Sequence, residues 1–536
     1  MKDEDFDTAP LLSDPESGAH RSPRDHHGRF SLASCRFPTR RIHLILLGVA
    51  LFVLGYLAHP QTAGAGQTIR YWTSPRFQRA VRIRVFNELL QERYPSSDEG
   101  SRNHRQHNFD SLERLALCTN AGTCTENEKT IIVLASGHFG NALAGMVSGE
   151  DIWAISTLHA FQELNMTTLI TFGHMETLFI YQSLPDLIPV VIWEGGNLRR
   201  CIARNSTNHI EMEQKDEESG AWQHGIQGCI QTPHFPLGVP IWKSFAFHFW
   251  DNAASPLGRE WTLAPEDYGA MDRDHEGNHY LGYSIEQRCL NAPYFSEREH
   301  RAIVLAKNPS YFEKIRNRFY HLLNGAKERV PDAADPAGVM TQFKIISTAG
   351  HEVTPNNPAA VIDEPGVEVI GRQPQDQWIQ TVARSKVMLG IGAPPLSPSP
   401  FDALCCGVPF INPILKWDES DPTNRFKWVT QANGLKFVDP PYVYHVFQED
   451  ADGLAKAIGD AVANPITRYV PPNMRSDAVR DRHLDLVKGD WLAAAKKYVG
   501  EHFDANDPDT TWLCMDPPKN RNTFMMPGHE GEAGAA

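Results

Sequence analysis

Residues 386–413, KVMLGIGAPPLSPSPFDALCCGVPFINP, decide the fold more than any other stretch of this chain. Their order is an apolar strand, a loop of small residues and prolines, a short helix that begins near Asp402, a glycine stop at Gly407 and a second apolar strand. This order predicts one β-loop-α-β unit of a buried parallel sheet. Such a unit places backbone N–H groups and a helix N-terminus at the carboxyl edge of the sheet, where phosphates and sugars of nucleotides bind.

Apolar runs of strand length, separated by segments of helical spacing, occur in two series along the chain. Each series is too complete to be one half of a single sheet. The pattern therefore predicts an α/β protein with two Rossmann-like domains facing a cleft, at residues 130–299 and 300–490, followed by an extension at 491–536 whose end is disordered. The predicted strands are 130–135, 168–172, 189–193, 302–306, 344–347 and 367–370.

The front of the chain carries an apolar run at residues 42–58, interrupted by His43 and preceded by arginines. Its length and basic flank predict a single transmembrane helix with a cytosolic N-terminus. A cleavable signal peptide is the competing interpretation. Residues 1–41 are predicted to be a disordered cytosolic tail, and residues 59–129 a stem.

Composition limits the classes of partner. The 536 residues carry a formal net charge of −14, with 41% hydrophobic residues. Nucleic-acid binding needs basic patches that displace counterions, so nucleic acid is excluded as the expected partner. The hydrophobic content indicates a globular body beyond the predicted anchor.

Eight cysteines follow the predicted anchor, an even number that suits disulfides in an oxidising compartment. Cys118 and Cys124 would close a small loop, whereas Cys405 and Cys406 are either paired or simply buried thiols. Asn165 and Asn205 each begin an N-glycosylation triplet, which agrees with exposure to the lumen.

Three ordered motifs carry a family resemblance. Residues 390–413 resemble the donor-site motif of glycosyltransferase family 18, the α-1,6-mannosylglycoprotein 6-β-N-acetylglucosaminyltransferases, also called N-acetylglucosaminyltransferase V. Residues 280–287, YLGYSIEQ, and 304–312, VLAKNPSYF, resemble two further motifs of that family in the right order. The chain departs from the family where an acidic residue of the loop is replaced by Leu396 or Ser397, and where the helix begins with the shorter Asp402.

The resemblance implies a GT-B glycosyltransferase whose C-terminal half holds the sugar nucleotide and whose N-terminal half holds the acceptor. The expected reaction transfers N-acetylglucosamine from UDP-N-acetylglucosamine in β-1,6 linkage to an α-mannose of N-glycans, with inversion. The expected place is the Golgi membrane, as a single-pass type II protein with a lumenal catalytic domain. Another Golgi hexosyltransferase with a different donor or acceptor is one alternative, and a catalytically silent sugar-binding membrane protein is the other.

Donor binding is predicted around the proline loop. Asp402 is expected to accept hydrogen bonds from both ribose hydroxyls. The alternative is that this acid, at the start of a helix, only interacts favourably with the helix dipole. Lys307 would offset the charge of the leaving diphosphate, with a surface lysine as the alternative. The remaining predicted donor-site residues are Gly390, Gly392, Ser397 and Ser399, of which the serines would otherwise be solvated.

Inverting transfer needs a general base from the N-terminal half. Glu150, at the start of a predicted helix, is the first candidate, and it resembles a Gly-Glu pair of family 18. Asp151 competes with Glu150, and His138, in the glycine turn after the first strand, is the second candidate. No metal is predicted, because the donor loop contains no Asp-x-Asp pair; the helix dipole and Lys307 would stabilise the diphosphate instead.

Two groups of residues stay open between roles. Glu286 and Gln287 would either orient the linker between the two halves or touch the ligand. The tryptophans would either stack on sugar rings or fill the cores, and they are Trp153, Trp193, Trp242 and Trp250.

Overall fold

The computed structural model describes residues 74–96, 102–146, 148–203, 228–233, 235–272, 274, 276–313, 322–334, 340–351, 366–503 and 511–516. They belong to one compact unit that spans residues 73–536. The predicted tail at 1–41 and the predicted transmembrane helix at 42–58 lie outside the described residues. Among the residues that are described, no helix has both the length and the apolar character needed to cross a membrane.

The first lobe is built on a parallel sheet of six strands in the order β2-β1-β3-β4-β5-β6. The interior strand β1 is buried along its whole length, because strands flank both of its edges and helices cover the faces of a parallel sheet. This burial explains its unalternating apolar sequence. The strands are β1 Ile131–Ala135, β2 Thr167–Ile170, β3 Val190–Glu194, β4 Ser244–Phe247, β5 Thr262–Ala264 and β6 His279–Tyr280.

In the described part of the chain, nine α-helices precede, connect or follow these strands. Three of them lie within the predicted stem, so the folded part starts well before residue 130. The helices are α1 Pro75–Arg93, α2 Arg102–Ala121, α3 Glu126–Lys129, α4 Gly137–Leu143, α5 Gly149–Glu163, α6 His174–Ser183, α7 Gly195–Ala203, α8 Tyr268–Met271 and α9 Glu286–Asn291, and short 3-10 turns occur at Ile241–Lys243 and Arg259–Trp261.

Helix α2 lies along the free edge of β2. The buried Asn108 amide accepts a hydrogen bond from Ile170 N (2.7 Å) and donates one to Ile170 O (2.7 Å). His107 Nε2 lies 2.9 Å from Thr168 Oγ1. These polar side chains therefore take the place of a neighbouring strand and cover an edge that would otherwise stay open.

The second lobe is built on a sheet in which β11-β10-β7-β12-β13 are followed by β15, all parallel, while β14 pairs antiparallel with β13. Counted within the lobe, this is the strand order 3-2-1-4-5-6 of the Rossmann fold. The strands are β7 Glu299–Val304, β10 Lys344–Ser347, β11 Val367–Val369, β12 Ser385–Leu389, β13 Phe410–Lys416, β14 Val429–Thr430 and β15 Val443–Phe447, with a separate hairpin of β8 Ala333–Ala334 and β9 Met340–Thr341.

The predicted β-loop-α-β unit is confirmed. Strand β12 leads through the proline loop to helix α13, and β13 returns parallel to β12 with Met388 opposite Phe410. The helices of this lobe are α10 Ser310–Glu313, α11 Leu323–Lys327, α12 Gln375–Ala383, α13 Ser399–Cys405 and α14 Ala451–Ala463, with 3-10 turns at Arg425–Lys427 and Asn433–Leu435.

The last two α-helices, α15 Ser476–Lys488 and α16 Trp491–His502, pack on the first lobe. His483 of α15 meets the Phe161 ring of α5 edge-on at 5.0 Å. Trp491 of α16 lies 4.8 Å from Phe245 and 5.5 Å from Trp261. The segment predicted as the C-terminal domain, 300–490, thus ends in a helix that packs on the other lobe. Short 3-10 turns complete this part at Pro472–Met474 and Thr511–Cys514.

Three disulfides join described cysteines. Cys118 pairs with Cys124 as predicted, and Cys201 pairs with Cys229. The sequence left open whether Cys405 and Cys406 are paired or are buried thiols. Cys405 pairs with Cys289, whereas Cys406 is a buried free thiol. Because Cys289 belongs to α9, the third disulfide ties the segment between the lobes to helix α13.

Candidate functional site

The carboxyl edge of the second sheet brings two predicted donor residues together. Strand order reverses between β7 and β12, and ligands of doubly wound sheets bind at such a switch point. Lys307 follows β7 and Gly390 follows β12, on adjacent strands in which Val304 lies opposite Leu389. Lys307 is exposed, and its ammonium group has no ion pair within the described part of the chain. The edge at the switch point therefore carries an exposed lysine after one strand and a glycine loop after the adjacent strand.

The proline loop is shaped by a buried side chain from far along the sequence. Gln431 Oε1 accepts a hydrogen bond from Gly392 N (2.8 Å), and Gln431 Nε2 donates to Pro394 O (3.3 Å). Gly392 has a φ of 97°, which a residue with a Cβ rarely adopts. A Cβ at Gly390 would collide with the same Gln431 amide. Both glycines are thus required for the conformation of the loop.

The two predicted loop serines lie at the end of this loop. Ser397 Oγ accepts a hydrogen bond from Ser399 N at 3.3 Å, which orders the turn into α13. Both side chains are half-buried. Binding of diphosphate by these serines stays a prediction.

Asp402 has a protein partner. Only 5% of its side chain is exposed, and both carboxylate oxygens accept hydrogen bonds from Arg288 of α9, at 3.0 Å for Oδ1 and 3.1 Å for Oδ2 from Nη2. Burial raises the pKa of Asp402, and the charge of Arg288 opposes that rise. A ribose could bind Asp402 only if it shared this carboxylate with Arg288 or displaced Arg288. Ribose binding by Asp402 therefore stays a prediction, whereas its ion pair with Arg288 is a structural contact.

The carboxyl edge of the first sheet carries the candidate bases. His138 follows β1, and its Nδ1 lies 2.9 Å from Asp151 Oδ1. Asp151 is almost fully buried and accepts a further hydrogen bond from Ser148 N at 3.0 Å. Burial alone would raise the pKa of Asp151, but the hydrogen bonds from His138 and Ser148 outweigh it and the pKa lies below its ordinary value. An ionised, buried Asp151 thus orients an imidazole that is 30% exposed.

Glu150 lies one residue before Asp151 in the first turn of α5. Its side chain is half-buried and has no hydrogen bond or ion pair to any described residue. The preceding Gly149 faces the other lobe: a Cβ built there would lie 3.8 Å from Pro398 Cδ. The first turn of α5 and the proline loop therefore meet. Glu150 directly follows Gly149, and His138 is hydrogen-bonded to Asp151, which lies two residues after Gly149.

The structure resolves two groups that the sequence left open. Glu286 Oε2 accepts a hydrogen bond from Ser476 N (2.8 Å) and so caps helix α15, a linking role. Trp153 and Trp193 are 1% exposed and belong to the core, and Trp242 donates its Nε1 proton to Met515 O (2.9 Å). Trp250 differs, with 52% of its surface exposed.

Sequence reasoning missed three residues that shape the proline loop or join the two lobes. Gln431 and Arg288 shape the donor side, as described above. Glu266 is buried after β5, and its carboxyl group packs against Gly434 of the second lobe. Burial raises the pKa of Glu266 to about 8. No local pattern marks these residues; only the family-like motif at residues 280–287, which Arg288 follows directly, pointed to the surroundings of Arg288.

Among the residues described, no group of three or more His, Cys, Asp or Glu side chains could hold a metal ion.

Comparison with known proteins shows no family. No family model matches the chain, and no curated protein matches it. Solved UDP-GlcNAc 2-epimerases give weak likenesses. The enzyme of Methanocaldococcus jannaschii is 11% identical, with 67% of this chain and 99% of that chain covered and a TM-score of 0.28. In complex with UDP-GlcNAc and UDP it is 10% identical, with the same coverage and a TM-score of 0.31.

The enzyme of Neisseria meningitidis bound to UDP-GlcNAc is 11% identical, with 66% of this chain and 99% of that chain covered and a TM-score of 0.27. TM-scores this low carry no argument about fold or activity. The case for a function therefore depends on the site itself.

Proposed function

We propose that this protein is an inverting glycosyltransferase that uses a nucleotide sugar. The proposed donor is UDP-N-acetylglucosamine, and the proposed reaction is β-1,6 transfer to an α-mannose of N-glycans, as the sequence resemblance implies. One observation carries the proposal: the first turn of α5, beside the candidate bases, lies against the proline loop at Gly149 and Pro398. Acceptor activation and donor binding would then share one gap between the lobes.

In the proposed step, the acceptor hydroxyl oxygen attacks the anomeric carbon of the donor sugar. His138 Nε2 takes the hydroxyl proton, while Asp151 holds Nδ1 and stabilises the imidazolium that forms. The bond between the anomeric carbon and the diphosphate oxygen breaks, and the nucleoside diphosphate leaves with the electron pair. Glu150, the base predicted from the sequence, is the alternative acceptor of the proton.

Lys307 and the loop of Gly390 and Gly392 are proposed to bind the leaving diphosphate. An exposed ammonium group at the switch point offsets the negative charge that develops as the bond breaks. No metal is proposed for this step. The direct check is transfer activity after EDTA treatment: unchanged activity is expected, and loss that manganese restores would contradict the proposal.

The proposed location is the Golgi membrane, with residues 42–58 as a type II anchor and the two lobes in the lumen. Disulfides of the described cysteines support an oxidising compartment. Protection of the lobes from protease in sealed microsomes is the expected result, and digestion without detergent would refute this orientation.

The deciding experiment incubates the full-length protein with radiolabelled nucleotide sugars and a mannose-terminated N-glycan. Label transferred from UDP-N-acetylglucosamine supports the proposal, and transfer from another donor would identify a different hexosyltransferase. A catalytically silent binder is the second candidate, favoured by the Arg288 contact that already occupies Asp402. A silent binder would bind UDP without turnover, and Glu150→Gln would leave that binding unchanged.

A further inference from the structure

Two exposed aromatic rings lie on the edge that carries the candidate bases. Phe172, two residues after β2, is 41% exposed, and Trp250, three residues after β4, is 52% exposed. Single exposed apolar side chains are common, so these rings are of interest for their position on either side of the candidate bases rather than for exposure alone.

Sheet order sets the spacing of these rings. The strands run β2-β1-β3-β4, so the segment with Phe172 and the segment with Trp250 flank the turns that follow β1 and β3. Three steps between neighbouring strands separate them by roughly 14 Å. His138, after β1, and Glu194, at the end of β3, lie between. The arrangement is a polar centre flanked by aromatic rings, and its span exceeds one sugar ring.

Both rings are supported from behind. The Phe172 ring packs so closely on Gly140 of α4 that a Cβ there would overlap it, and the His104 ring lies 4.1 Å away on another side. The Trp250 ring meets the Phe249 ring nearly edge-on at 6.4 Å. Phe249 in turn lies 3.7 Å from the Cβ position of Gly149, beside the proline loop. The supported rings can bind a ligand with little loss of side-chain freedom.

The Trp250 backbone is also fixed, because Asn278 Nδ2 donates to Trp250 O at 2.8 Å. Its indole N–H has no hydrogen-bond partner within the described ranges, unlike the indole N–H groups of Trp153 and Trp193. An exposed indole whose N–H has no partner among the described residues suits a sugar, which offers C–H groups on one face and hydroxyl oxygens at the rim.

We propose that Phe172 and Trp250 are the two ends of an acceptor site for an oligosaccharide, each ring stacking on a sugar that does not itself react. The inference rests on the proposed function, because the reacting hydroxyl is the one held over His138. It adds that the site contacts sugars on both sides of the reacting one and that Phe172 and Trp250 determine the preference for an oligosaccharide over a single sugar.

The test uses the full-length protein and two probes, a mannose-terminated N-glycan oligosaccharide and free mannose. Binding of each is first measured by calorimetry without donor. We expect the oligosaccharide to bind at least tenfold more tightly than mannose, and Trp250→Ala to abolish most of that difference. Trp250→Phe should retain it. Phe437→Ala, which removes a ring that is 42% exposed on the second lobe, is the matched control and should change nothing.

Kinetics then separate this inference from the proposed function. In the wild type, transfer to the oligosaccharide should show a lower KM than transfer to mannose, and Trp250→Ala and Phe172→Leu should raise only the oligosaccharide KM. Equal binding of both probes, or an unchanged Trp250→Ala, overturns the acceptor site even if transfer occurs. Absence of transfer with every donor refutes the proposed function, while the binding result still decides the inference. Thermal melting of each variant identifies loss of folding.

Discussion

At the scale of single residues, the site depends on which groups the fold leaves unpaired. Glu150 and His138 were both candidates from sequence, and they lie close to the same contact between the lobes. Their surroundings differ, because His138 has a buried acidic partner in Asp151 and Glu150 has none among the described residues. An imidazole held in one tautomer by a carboxylate is better prepared to accept a proton than a freely rotating carboxylate.

We therefore expect His138→Gln to lower kcat by about 10²- to 10⁴-fold with little change in donor KM, the range typical of a lost general base. Glu150→Gln should lower kcat less than tenfold. The kcat of each purified variant is measured from initial rates at saturating acceptor. Each variant must have the melting temperature of the wild type. The reverse pattern, a large loss only in Glu150→Gln, would assign the base to Glu150.

At the scale of secondary structure, helices α1 and α2 lie in the predicted stem, and α2 packs on the first sheet. The predicted stem includes His107 and Asn108, but both side chains contact β2 and take the place of its missing neighbour. A buried amide that satisfies two backbone groups stabilises an edge strand, and removing it leaves both groups without partners.

Asn108→Ala should accordingly lower the free energy of unfolding by about 2 kcal/mol or more. Gln106→Ala, on the exposed side of the same helix, is the control and should stay within about 0.5 kcal/mol of the wild type. Urea unfolding followed by circular dichroism gives both values. Equal stability of the two variants would show that α2 is not part of the cooperative fold.

At the scale of the whole molecule, the two lobes are fastened by contacts on both sides of the gap. Arg288 and Asp402, together with the Cys289–Cys405 disulfide, join α9 to α13. On the other side, Lys436 Nζ donates to Met271 O of the first lobe at 2.7 Å, and Glu266 packs on Gly434. The burial of Glu266 makes this second contact sensitive to pH.

Because burial raises the pKa of Glu266 to about 8, the folded protein keeps this proton while the unfolded chain releases it near the ordinary value. The stabilisation is complete below about pH 4.5 and is lost as pH rises toward 8, by at most about 1.4 kcal/mol per pH unit. Glu266→Gln should remove the contribution of Glu266 to this slope between pH 5 and 8, measured by urea unfolding. Glu176, whose pKa burial raises to about 7, adds a slope of the same sign that both proteins keep.

The exposed Glu260→Gln is the control and should keep the wild-type slope. The pKa of Lys436, which burial lowers to about 8, affects stability mainly above this window. A wild-type slope that persists in Glu266→Gln would show that another group causes the pH dependence.

The sequence by itself determined the elements whose signal is local. Unalternating apolar runs marked the buried strands β1, β3, β7 and β12, and the glycine-proline pattern marked the β-loop-α-β unit. Central parallel strands are apolar on both faces, so their signal survives in a single sequence. The strands that were not predicted are β4, β5, β6, β8, β9, β14 and β15.

Only the tertiary structure decided how these elements meet. It placed Lys307 and Gly390 after the ends of adjacent strands, paired Asp402 with Arg288, oriented His138 with Asp151 and brought Gly149 to Pro398. Each of these relations except that of His138 and Asp151 joins residues more than 80 positions apart, and no local spacing encodes them. Side-chain roles at the site depend on burial and on the partner across the gap, and both arise only when the two sheets pack together.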